Sequence, residues 1–323
     1  TLPRMNGKIL DLEASSLEEC DFEKVTLFKS LHLLSTKSSL TFTNPLVFAG
    51  SLKVEAPCVR NTKGIGSRGS IQFKAPQILN EAFLVSEQGK IILEGNVHHT
   101  QGLLGASEGV EIIGEAHVFQ GDFHPQSAFL IKSKQGLTYD PEKLKTKNLL
   151  KLIFQEPVSF PQGIKTLGSL FLEGPSVEIG KGLEATYTEA QTPFLKMAGD
   201  ILSTPLKAWG KVEFIAPYAF TAEYPLDVEG DLKVEASRNV SLKGSILGHQ
   251  DISIVSLSIV SEKEIFAHKT MQVECSGPIF FQDRVVGVQG ITLRVGDRIF
   301  YKDAGPDITS QTSGLQTGGT LEI

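Results

Sequence analysis

The chain has 323 residues, 41% of them apolar, with a formal charge of −6 and a pI near 5.7. That is ample apolar content for a continuous core, and the acidic balance gives no electrostatic support for binding nucleic acid or an anionic membrane. No apolar run reaches the ~18 residues of a membrane span, and Cys20, Cys58 and Cys275 form no Cys-x-x-Cys pair, so membrane insertion, a disulfide framework and a zinc-thiolate site are all excluded from the expectations.

The first predicted strand carries Leu10 and Leu12, and the same pair of apolar positions returns at Leu31 and Leu33, Leu52 and Val54, Ile71 and Phe73, Ile91 and Leu93, and Val110 and Ile112. The residue between the two is mostly polar, which is the period-2 pattern of a strand with one buried face. From Gly50 the phrase around these pairs becomes nearly repetitive. It reads Gly50-Ser-Leu-Lys-Val-Glu-Ala-Pro57, Gly69-Ser-Ile-Gln-Phe-Lys-Ala-Pro76, Gly89-Lys-Ile-Ile-Leu-Glu-Gly95 and Gly109-Val-Glu-Ile-Ile-Gly114. A unit this short suits neither a helix pair nor a propeller blade.

The series continues through Phe129 and Ile131, Leu150 and Leu152, and Leu170 and Leu172. Residues 136–149 hold a charged stretch with Pro141 and a possible helical turn after Asp140, and they are expected to form an excursion from a coil. Residues 180–197 blur the alternation and are expected to be an irregular coil. The period resumes at Val212 and Phe214, Leu232 and Val234, Ile252 and Ile254, Met271 and Val273, and Ile291 and Leu293, and Gly318 to Ile323 opens a further coil. A second apolar cluster follows each marker, with Gly and Pro between, which predicts two to three short strands per coil. The expectation is an all-β solenoid of about 15 coils with a period of 19–21 residues, forming one domain over 1–323 and continuing in a longer polypeptide.

The phrases at Gly50, Gly69, Gly168, Gly210 and Gly230, at this spacing, resemble the repeats of the filamentous haemagglutinin family. These are long exoproteins exported by two-partner secretion and include the contact-dependent inhibition toxins. The resemblance implies a right-handed parallel β-helix at the cell surface or in the secreted fraction. It also implies an outer-membrane transporter of the two-partner type and a host or target-cell receptor or glycan as partners. The role implied is a stalk or adhesive segment that presents a distal binding or toxin domain, with no cofactor and no enzymatic activity.

Two other classes compete with that expectation. β-Helices also serve as scaffolds for polysaccharide lyases and hydrolases, and Asp231 and Asp251 precede their markers by one residue, so they should stack one strand spacing apart with Lys211 below. Paired acids at that distance could act as general acid and base, although solvated corner carboxylates are the plainer expectation. The other alternative is a cytoplasmic scaffold that polymerises through its terminal coils. His98 and His117 both lie seven residues after their markers and are expected to share a column, with His99 and His124 nearby, although no carboxylate or thiol obviously completes a metal site. Finally, Ile92, Ile113, Leu130, Ile153, Phe171 and Ile215 occupy outward strand positions, where they are expected to form an apolar stripe that is either covered or docks a partner.

Overall fold

The computed structural model describes residues 10–14, 30–174, 177–179, 183–185, 194–198, 201–202, 206–208, 210–216, 218–301, 315–317 and 320–322. Among them the protein is all-β, without a helix, and every described strand pairing is parallel. It is a β-solenoid of about 12 turns, slightly fewer than the period predicts. The coils group into two compact units, Thr1–Gln155 and Glu156–Ile323.

In the first unit, Leu10, Leu31, Leu52, Ile71, Ile91, Val110, Phe129 and Leu150 are successive register partners. Two residues on, Leu12, Leu33, Val54, Phe73, Leu93, Ile112, Ile131 and Leu152 form a second column. From Leu31 onward the described members of both columns are essentially excluded from solvent. A single coil cannot bury these side chains, so each gains its apolar contacts only when the next coil stacks on it. The third side of the coil is the sheet Leu46–Phe48, Ile65–Ser67, Leu84–Ser86, Leu103–Ala106 and Asp122–Phe123. The Gly64 to Gly69 segment supplies the strand Ile65–Ser67 of this sheet and the corner after it.

The recurrent glycine has a steric cause. A Cβ on Gly69 would lie 2.8 Å from the Gly50 carbonyl carbon, and one on Gly89 would meet the Gly69 carbonyl carbon at the same distance. Corners stack backbone on backbone, as the Gly69 amide donating to the Gly50 carbonyl at 3.0 Å shows, and leave no room for a side chain.

Residues 136–149 are expected to leave the coil, and instead 139–148 continue its wall. The Phe123 amide donates to the Lys143 carbonyl, the Lys147 amide to the Pro125 carbonyl, and the Thr146 hydroxyl to the Ser127 carbonyl. Leu144 and Thr146 are fully buried. After Asp140 there is one hydrogen-bonded turn, closed by the Lys143 and Leu144 amides on the Asp140 carbonyl, and it does not propagate because Leu144 turns inward.

The second unit repeats the arrangement with Leu170, Leu195, Val212, Leu232, Ile252, Met271, Ile291 and Leu321 in one column. The strand that the blurred 180–197 stretch concealed is Phe194–Ala198, so the local spacing departs from 20 while the register holds. Its second strands form sheets of two and six strands and its third strands a sheet of eight.

Candidate functional site

Asp231 and Asp251 do stack, and their carboxylates serve the corners. Oδ1 of Asp251 accepts from the Thr270 amide at 3.0 Å and the Thr270 hydroxyl at 2.6 Å, while Oδ1 of Asp231 faces the Asp251 amide at 3.5 Å. The hydroxyl bond from Thr270 holds the Asp251 carboxyl below the ordinary carboxylate range. A general acid needs the opposite shift. Lys211, expected below them, pairs with Glu213 at 3.0 Å.

The outward apolar residues are divided between columns and interrupted by charges. Ile92 is followed in register by Glu111, Leu130 and Lys151, whereas Ile113 is flanked by Glu94 and Lys132, and Ile153 follows Lys132. Lys132 bridges to Glu111 at 3.3 Å across these two columns. In the second unit Ile215 is followed by Glu235, Val255 and Glu274. Ile215, Val255 and Leu257 line a shallow groove beside Glu235. Phe171 is a half-buried outward residue on Leu170–Glu173.

His98 and His117 occupy different columns and opposite faces. His98 pairs in register with Val118, and His117 with Leu137, so His98 points outward and His117 is buried. The cause is Gly95, where a register shift makes the coil one residue shorter at this corner than its neighbours, so an equal count from the marker lands on the opposite face.

The same shift completes a buried ladder. Asn61 Nδ2 donates to Asn80 Oδ1 at 2.7 Å, and Asn80 Nδ2 donates to His99 Nδ1 at 2.8 Å. His99 Nε2 then donates to the Asp122 carbonyl at 3.3 Å. Burial holds the His99 imidazole below its ordinary pKa, and burial does the same to His117, whose Nδ1 accepts from the Val97 amide. Both networks assign these rings as neutral Nε2–H tautomers. The ladder is visible in the sequence as Asn61, Asn80 and His99, each 19 residues from the last.

A second cluster, not anticipated from the sequence, lies on the surface of the second unit. His249 Nε2 is 3.1 Å from Asp227 Oδ1, and its Nδ1 is 3.6 Å from Glu229 Oε2. The His268 ring stacks on His249 with centroids 5.1 Å apart, and Phe266 meets His268 edge-on at 4.9 Å. These residues come together because Leu226–Val228, Ile246–Gly248 and Ile265–Ala267 are adjacent strands, so Glu229, His249 and His268 occupy the same corner of successive coils. Their spacings of 20 and 19 residues were the available signal. Among the described residues, Asp227, Glu229 and His249 are the group whose donor atoms all lie close enough together to hold a cation.

Further along this unit Phe280 and Phe300 stack at 4.6 Å, each about two-fifths exposed. No protein family, curated protein or solved structure matches this chain.

Proposed function

We propose that the chain is a structural and adhesive stalk segment of a secreted or surface exoprotein of the filamentous haemagglutinin type. The observation that carries this reading is the unbroken inward register of Leu, Ile, Val and Phe within each unit, where every coil is held by its neighbours on both sides. Such a unit resists bending and local opening because no rung can leave without exposing the next. The use of Asp231 and Asp251 in corner hydrogen bonds, rather than as a free acid pair, supports a structural role over polysaccharide cleavage. The exposed Phe280 and Phe300 pair offers a surface on which adhesion to a receptor or glycan would begin.

In this reading the distal part of the polypeptide binds or intoxicates the target, and export uses a two-partner outer-membrane transporter. The test is antibody labelling of the producing cell, with antibody raised against this chain. Labelling of intact cells is the expected result, and labelling only after permeabilisation overturns the proposal.

A further inference from the structure

The geometry points to a divalent transition-metal site in the second unit, held by Asp227, Glu229 and one ring nitrogen of His249, with Zn²⁺ as the ion that this donor set suits. One imidazole with two carboxylates is a borderline set, matched to Zn²⁺ better than to the harder Ca²⁺ or Mg²⁺.

The distances fit an ion. Two ligands 3.1 Å apart, each at the roughly 2.0–2.1 Å of a Zn–N or Zn–O bond, subtend roughly 95–100° at the metal, between octahedral and tetrahedral angles. All three donor atoms lie within 4.8 Å of one another. Ligands of one such ion in tetrahedral geometry are about 3.3 Å apart, so the widest pair closes by a movement of at most about 1.5 Å. All three side chains are about one-third exposed, which leaves them free to make it and leaves the remaining coordination positions to water.

The His249 ring lies between the two carboxylates. A neutral imidazole carries one N–H, yet both nitrogens of His249 face carboxylate oxygens. An ion bound through one ring nitrogen uses that lone pair and leaves the single N–H on the other nitrogen, where a carboxylate oxygen accepts it. The ring cannot easily swing away, because His268 stacks on its face and Phe266 packs against His268. The ring is thus held in place for the carboxylates to close on an ion, in the way that outer contacts orient metal-binding histidines generally.

The test is Zn²⁺ binding to the purified full chain at pH 7.5, by competition with a chromophoric chelator. One equivalent should bind, and binding at that equivalent should weaken at least tenfold in His249→Gln and in the Asp227→Asn, Glu229→Gln double variant. Zinc-edge absorption should show a shell of nitrogen and oxygen without sulfur. Asp122→Asn, an exposed carboxylate paired with Lys143 in the other unit, should leave affinity unchanged. The replaced side chains lie outside the core, so unchanged circular dichroism is expected and separates loss of the site from loss of fold. No Zn²⁺ binding by the parent chain, or equal affinity in His249→Gln, overturns the assignment.

Discussion

The two units stack the same kind of coil yet fill one equivalent column in opposite ways. At the end of the second strand the first unit runs Phe42, Asn61, Asn80, His99, Phe119 and Tyr139. The second unit runs Ala222, Leu242, Ser261, Phe281 and Tyr301. Asn61, Asn80 and His99 are as completely buried as Leu242 and Phe281. A parallel solenoid therefore accepts amides and imidazole in its interior, provided that adjacent coils supply matching donors and acceptors. The ladder ends at Phe119, one rung after His99 directs its remaining N–H to the Asp122 carbonyl. An unpaired member would carry the full desolvation cost of a buried polar group.

The difference depends on Gly95, and replacing it should have the largest effect on the first unit. Gly95 has φ +141°, and a Cβ there would lie 1.7 Å from the Ala75 carbonyl oxygen. Gly95→Ala should destabilise the first unit by about 3 kcal/mol or more, adding backbone strain to a clash with main chain that cannot yield. Gly136 has nothing within 4 Å of its Cβ position, so Gly136→Ala should stay within about 0.5 kcal/mol. Denaturant unfolding measures both. Equal costs would mean that the short corner is not what sets the register.

Reciprocal exchanges come next. Asn80→Leu removes the centre of the ladder and strands the Asn61 amide and His99 Nδ1, although Asn61 keeps the Phe83 carbonyl at 3.0 Å. Leu242→Asn buries an amide between Ala222 and Ser261, whose hydroxyl already donates to the Lys263 carbonyl. Each should cost about 2–4 kcal/mol in its own unit, read by hydrogen exchange at that unit's strand amides. A neutral Asn80→Leu would show that the ladder contributes nothing beyond its volume.

The sequence made the first-strand columns legible because their inward residues are aliphatic or Phe at a steady period, and every marker from Leu10 to Leu150 lies in one column. Beyond the first strand, counting residues loses the faces. Corners gain or lose a residue without leaving the coil, so His98 and His117 share an offset and face opposite ways, and 139–148 resembles an insertion while serving as wall. The Glu229, His249 and His268 stack was hidden for a different reason. Its members follow the third strand, where no apolar marker keeps count, and Asp227 joins them from two residues upstream through side-chain reach rather than register.

Acid provides the gentlest separation of the two units. His99 and His117 are buried neutral in the first unit, and burial depresses both folded-state values. The described histidines of the second unit, His249 and His268, lie instead on its surface. With the folded value below that of the unfolded chain, the unfolded state binds more protons as the pH falls, so stability declines. The contribution of the two rings is fully present above the unfolded value, about 6.5, and is lost as the pH drops towards their depressed folded values. Asp251, also depressed, adds its own loss to the second unit only in the more acidic range where carboxylates titrate. Between pH 7.5 and 5.5 the first unit should therefore lose protection and the second should hold, as read by hydrogen exchange corrected for the intrinsic pH dependence. His99→Asn preserves an amide rung in place of the imidazole and should remove part of that acid sensitivity while leaving the rest with His117. Equal acid sensitivity in both units, or none removed by His99→Asn, would break the contrast between the polar and apolar columns.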